Sequence, residues 1–206
     1  MGMPVPPREI DKGRLPPGQV LTEKFPVLHY GSIPRFEPST WNFRVFGEVK
    51  EEILLTWDEF SSLPRTKVNL DIHCVTRWSK FNMVWEGVSL KTFYDLGIIS
   101  PKPGARFLMQ HAEHGYTANL PLDLTLQENF LLATHLDGHP ITPDHGFPLR
   151  GVIGAIPGRD DLKTVYLWKG AKWLRGLELM DRDRPGFWEQ AGYNNEADVW
   201  NEERFG

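Results

Sequence analysis

The chain has 206 residues, 40% of them hydrophobic and 24% charged, with 27 acidic against 23 basic side chains. Those proportions belong to one globular domain with or without an arm, and they exclude a disordered tail protein and a membrane-spanning bundle. The net charge of −4 argues against a surface built to coat nucleic acid or anionic lipid, and a single cysteine rules out an intramolecular disulfide, a multi-cysteine metal site and a C-x-x-C-H haem attachment.

Residues 1–40 hold eight of the 17 prolines, which fix φ and remove backbone donors, so an extended arm laid on the body is expected there. Its opening, Met1-Gly2-Met3-Pro4-Val5-Pro6-Pro7, shows neither a basic-then-apolar leader nor a twin arginine, and the expected setting is cytoplasmic and reducing. Residues 41–206 are expected to form one domain. Trp41-Asn42-Phe43-Arg44-Val45-Phe46-Gly47 alternates as a half-buried strand does. Thr56-Trp57-Asp58-Glu59 is a capping box opening a short helix that stops before Pro64, and a second helix is expected from Ser89 to Leu96, closed by Gly97. Further strands are predicted over Phe107–Met109, Phe130–Ala133, Val165–Trp168 and Trp173–Met180. The class is α+β: strand-rich mixed sheets with short helices.

Two segments bear on chemistry. In Val68-Asn69-Leu70-Asp71-Ile72-His73-Cys74-Val75, Val68, Leu70, Ile72 and Cys74 share one strand face, while His73 points away from the sulfur. After it, Thr76-Arg77-Trp78-Ser79 offers an arginine and hydroxyls to a thiolate. A lone cysteine on an apolar face is also an ordinary buried side chain, and both readings stay open on this segment alone. From Arg150 to Arg175, six basic residues stand against two acidic ones, a local +4 in an acidic chain. With Gly151, Gly154, Gly158 and Gly170 between them, these residues suit an anionic ligand approached by backbone amides, or else a solvated face opposite the acidic C-terminus. No Walker pattern or G-x-G-x-x-G is present. His111 and His114 do not form a metal pair, since positions three apart on a strand face opposite sides.

Four stretches together resemble the molybdopterin-binding catalytic domain of the sulfite oxidase family, in its short bacterial sulfite-oxidase-like form. They are Asp144-His145-Gly146-Phe147-Pro148-Leu149-Arg150, Lys169-Gly170-Ala171-Lys172-Trp173-Leu174, the cysteine segment followed by Trp85-Glu86-Gly87-Val88, and Arg184-Pro185-Gly186-Phe187-Trp188-Glu189-Gln190 with Glu202-Glu203-Arg204-Phe205. The resemblance runs from about Phe25 to the end. It implies the fold of that domain and a molybdenum cofactor whose metal takes Cys74 as its protein thiolate. His29, Tyr30, Gly31, His145, Arg150, Lys169, Gly170, Ala171 and Lys172 would hold the cofactor, and Tyr116 and Arg77 would serve catalysis beside Cys74. It departs from the animal and plant enzymes at Leu28-His29-Tyr30 and in having Arg77 alone after the cysteine, where a sulfite dianion would want more cations.

The function expected is an oxidoreductase moving one oxygen atom and two electrons to or from a small substrate: a sulfur compound, an S-oxide or an N-oxide. Its electrons would come from or go to a separate haem or quinone-linked partner, with no nucleic acid and no membrane span involved. Two rivals are a non-catalytic cofactor carrier and, less favoured, a cysteine hydrolase pairing Cys74 with a distant histidine such as His145.

Overall fold

The structure, a computed structural model, describes residues 13–206. The first twelve residues of the proline-rich arm, its opening Met1–Pro7 included, lie outside the described residues. Eleven strands fall into two sheets among those described.

The first sheet is organised by β5 (Trp78–Val88), eleven residues long. One edge of β5 pairs antiparallel with β4 (Thr66–His73); on the other, β1 (Val20–Leu21) lies parallel to its start and β8 (Phe130–Leu136) antiparallel to its end. β8 then carries β9 (His139–Pro140) and β10 (Arg150–Ile153). The second sheet runs in the order β3 (Ile53–Thr56), β2 (Asn42–Gly47), β11 (Leu174–Met180), β6 (Phe107–Ala112), β7 (Thr117–Pro121). β2 and β11 are parallel, which ties the start of the body to its end.

Four short helices fill the connections. α1 (Trp57–Ser61) begins at the expected capping box: Glu59 N–H donates to Thr56 Oγ1, and Thr56 N–H donates to the Glu59 carboxylate. α2 (Leu90–Asp95) is capped by Ser89 and followed by Gly97 at φ +68°. α3 spans Leu122–Thr125 and α4 spans Phe187–Gln190. The main core gathers Phe43, Phe60, Phe93, Phe130, Leu177 and Tyr166, while a second cluster around Trp85, Leu70, Ile72 and Val152 belongs to the first sheet. No helix among the described residues is long and apolar enough to cross a membrane.

Two expectations change. Val165–Trp168 is not a strand: it ends in a 3₁₀ turn over Leu167–Lys169, closed by Lys169 N–H to Tyr166 O and Gly170 N–H to Leu167 O. All four residues are buried, so the run is apolar because it is covered on every side, and length alone did not separate that from a strand. In β4 the strict alternation ends at a register shift between Leu70 and Ile72, and beyond Asn69 the supposed outer face is covered too. Asp71 and His73 are both 1% exposed. The Asp71 carboxylate accepts from Arg14 Nε at 2.8 Å and Nη2 at 2.7 Å, so the arm straps that face.

Candidate active site

β4 stops at His73, and Cys74 opens the turn into β5: Cys74 N–H donates to Trp78 O at 2.9 Å, and Arg77 N–H donates to Cys74 O at 3.0 Å. The turn holds the sulfur still. Thr76 Oγ1 donates to Sγ at 3.1 Å, and Gln19 from the arm donates to the Cys74 carbonyl at 3.0 Å. Burial pushes the thiol up from its usual range, while the Thr76 hydroxyl, the Thr76 and Val75 amides and the Lys172 charge pull it back.

Opposite stands a pair of cations. Arg150, on β10, is 1% exposed and donates to carbonyls, to His145 O at 2.9 Å, Gly151 O at 3.2 Å and Gly170 O at 3.5 Å. Its ring neighbour is Trp85, 5.4 Å from the guanidinium carbon. Lys172 Nζ donates to Asp144 O at 2.8 Å. Neither has a carboxylate within ion-pair distance among the described residues. Burial brings Arg150 down to about 10; burial and then Arg150 bring Lys172 down to about 7. A buried Arg150 beside a half-buried Lys172, with no carboxylate in ion-pair distance, is costly to hold, and an anion between them relieves that cost.

Cys74, Arg150 and Lys172 line one cavity of about 360 Å³. The arm supplies Phe25, Pro26, Leu28, His29 and Tyr30 to its wall, the cysteine turn adds Val75, Thr76 and Trp78, and the far side is Trp168, Trp173, Trp188 and Tyr193. Tyr116 also lines it, donating its hydroxyl proton to Trp168 O at 2.6 Å; burial and Glu189 raise this phenol far above its usual range.

Of the residues singled out by sequence, the cavity brings together His29, Tyr30, Cys74, Tyr116, Arg150, Gly170 and Lys172. Five are elsewhere. Lys169 is 1% exposed and paired through Nζ with Glu189 Oε1 at 2.7 Å, with further bonds to Asn119, so its charge is already answered. Ala171 is wholly buried and its N–H donates to Gln110 Oε1 at 3.0 Å, while the Gly170 N–H is engaged by Leu167 O, so neither amide is available to a phosphate. Gly170 is glycine for another reason: a Cβ there would sit 2.4 Å from Gly151 O. Arg77, at φ +71°, is exposed and turned from the sulfur toward Gly18, where a Cβ would lie 3.0 Å from its Nη1. Gly31, at φ +79°, backs onto the His114 ring. His145 stacks on Phe25, centroids 3.8 Å apart, outside the wall, and burial lowers it to about 4. His145 therefore does not line the cavity beside the Cys74 sulfur.

The reading of the sequence missed the aromatic wall and two supporting side chains. Gln110 Nε2 donates to Lys169 O at 2.6 Å while its Oε1 takes the Ala171 N–H, clamping both sides of the 169–171 loop. Glu189 accepts from both Lys169 and Trp168 Nε1, the latter at 2.8 Å.

Residues 30–188 match the family described as oxidoreductase molybdopterin binding domain. The chain belongs to that family. This molybdopterin-binding domain is 43% identical over 194 residues to the uncharacterized oxidoreductase YuiH of Bacillus subtilis (strain 168), covering 94% of this chain and 92% of that one. It is 25% identical over 214 residues to the mitochondrial sulfite oxidase of Rattus norvegicus, covering 86% of this chain but 37% of that one. The sulfane dehydrogenase SoxCD from Paracoccus pantotrophus shares the fold, with a TM-score of 0.63 at 18% identity over 75% of this chain and 41% of that chain. The protein is a sulfite-oxidase-like, molybdopterin-dependent oxidoreductase. Its site suits that cofactor: one thiolate-capable sulfur for a metal whose other sulfurs the pterin brings, two cations free for a phosphate, and aromatic walls for a flat heterocycle.

Proposed function

We propose that the protein moves one oxygen atom and two electrons to or from a small substrate (a sulfur compound, an S-oxide or an N-oxide) at a molybdenum held by Cys74. The observation that supports this is that the Cys74 thiol, Arg150 and Lys172 line one cavity. In the reducing direction, an S-oxide takes up two electrons and two protons to give the sulfide and water; the electrons come from a separate haem or quinone-linked protein.

When bound, the cofactor supplies the two-electron oxygen transfer chemistry. The chain's own groups bind and orient. Cys74 Sγ, steadied by Thr76, offers the soft ligand. Arg150 and Lys172 grip the phosphate as charge-assisted donors. Tyr116 keeps its proton and fixes the Trp168 carbonyl, and His29 and Tyr30 close the arm side over a mostly apolar wall. Residues 41–206 act in this reading as the single catalytic domain, and residues 1–40 as the arm on it.

The test is metal and pterin analysis of protein made in a host that synthesises the cofactor. The wild type is expected to carry stoichiometric molybdenum that Cys74→Ser loses. Arg150→Met and Lys172→Met should lose pterin as well. Wild-type protein free of metal and pterin would sink the proposal; bound metal that no dye-linked donor or acceptor can cycle would reduce it to a carrier.

A further inference from the structure

We infer that Gln19, from the arm, is a positioning residue for the Cys74 sulfur: its side-chain amide fixes the turn that aims the thiol into the cavity. The inference rests on the reading of Cys74 as the metal ligand and adds the group that holds this ligand in place. Gln19 precedes residues 30–188, which match the family, and it stands behind the cavity wall.

The turn from Cys74 to Arg77 needs a support from outside itself. Cys74 follows the covered end of β4, but Thr76 and Arg77 are exposed, and Arg77 sits at φ +71°, a conformation that a residue with a Cβ holds at a cost. Its internal bonds, Arg77 N–H to Cys74 O at 3.0 Å and Cys74 N–H to Trp78 O at 2.9 Å, close the turn yet move with it. Two consecutive arm residues tie it to the body. Gln19 Nε2 donates to Cys74 O at 3.0 Å in a buried bond, and Val20 N–H donates to Arg77 O at 2.9 Å, so the first and last residues of the turn are gripped from one segment. A carbonyl only accepts, which obliges Gln19 to face it with the N–H end of its amide.

The gripping segment is itself seated. Gln19 is 7% exposed. Ahead of it Gly18, at φ +67°, lies so close to the C-terminal stretch that a Cβ would collide with Glu202 Oε1. After it Val20 and Leu21 pair with Trp78 and Ser79 as β1. The hold on Cys74 O is thereby referred to β5 and to Glu202, not to the turn. Fixing that carbonyl fixes the peptide plane that follows Cys74, and with it the direction of the Cα–Cβ bond that carries the sulfur. Groups placed behind a metal ligand orient it, and losing one changes metal affinity by about tenfold to a hundredfold.

The experiment compares the full chain with Gln19→Met, which keeps the length of the side chain and loses the donor, and with Gln19→Glu, which keeps its shape and loses the N–H. Ser89→Ala, which uncaps α2, serves as a variant weakened away from the turn. In cofactor-free protein iodoacetamide reads Cys74 directly, since it is the one cysteine of the chain. Both Gln19 variants should be alkylated about twofold to tenfold faster than wild type, the equilibrium worth of one such bond, while Ser89→Ala melts lower but keeps the wild-type rate. In protein made with the cofactor, the Gln19 variants should lose molybdenum on dialysis about tenfold faster and show an altered paramagnetic resonance signal after one-electron reduction, and Ser89→Ala should do neither. Gln19 variants that match wild type in alkylation and metal retention overturn the inference, and so does a Ser89→Ala protein that changes as much as they do. If wild-type protein carries no metal while the Gln19 variants still expose the thiol, the metal-ligand reading fails and the positioning of the sulfur stands. Loaded wild-type protein whose sulfur ignores Gln19 refutes the positioning alone.

Discussion

Lys169 and Glu189 form an ion pair of 2.7 Å in which the side chains are 1% and 2% exposed, and that pair fastens the C-terminal α4 to the turn that carries Trp168. A motif lysine thus works as a rivet. Removing one partner of a buried pair costs about 3–5 kcal/mol, whereas replacing both by apolar groups is often nearly neutral. Glu189→Ala is expected to lose that amount in urea unfolding, and Lys169→Met combined with Glu189→Leu to recover most of it. Equal losses in the single and double variants would contradict the assignment.

The Thr76 hydroxyl bond to Cys74 Sγ favours the thiolate against the burial that opposes it. Thr76→Val should therefore raise the thiol further and slow iodoacetamide alkylation of cofactor-free protein at pH 8. A hydrogen bond of about 0.5–1.5 kcal/mol corresponds to roughly a twofold to tenfold change in thiolate. Alkylation that speeds up would show that the hydroxyl does not act on the sulfur.

Lys172 is lowered to about 7 in the folded protein, against about 10.4 for an unperturbed lysine. Between those values the unfolded chain binds the extra proton, so the stability of cofactor-free protein should rise as pH increases from about 7 toward 10, with a constant penalty below 7. Lys172→Met is expected to flatten this rise in thermal melts. By the same linkage, inorganic phosphate binding at pH 8 should take up protons, measurable by calorimetry in two buffers of different ionisation enthalpy.

His73 is 1% exposed, bonded through Nδ1 to Ser79 Oγ at 2.8 Å, and lowered by burial to about 3. Its stabilising contribution is present above its unfolded value near 6.5 and is lost as pH falls below that, at roughly 1.4 kcal/mol per pH unit. His73→Gln should flatten acid unfolding between pH 6 and 4, read by circular dichroism. An unaltered slope would mean that the ring is not held neutral in the fold.

Short-range structure was legible because its signals are local. The Thr56 and Glu59 pairing fixes α1, Ser89 and Gly97 bracket α2, and alternation gives β2. The β2–β11 pairing joins residues that no local pattern links. In the site, Cys74, Arg150 and Lys172, far apart in sequence, line one cavity. Arg77 did not, because a left-handed φ in its turn aims it outward. Lys169 and Ala171 sit in the expected loop, yet their orientation depends on Glu189 and Gln110, which come from other elements. Gln110 was visible only as a polar residue on an apolar strand. The tryptophans of the wall had no role assigned from the sequence, since burial against a cavity and burial against protein leave the same trace in it.

The cavity's walls run from Phe25 to Tyr193, so segments early and late among the described residues meet around a void that no shorter stretch of chain encloses. A ribosome-bound precursor still lacking α4 displays the cysteine turn but has nowhere to keep a guest. A chain that stops before α4 is accordingly expected to hold no prosthetic group, and a folding defect on either side of the void should surface first as protein that accumulates empty.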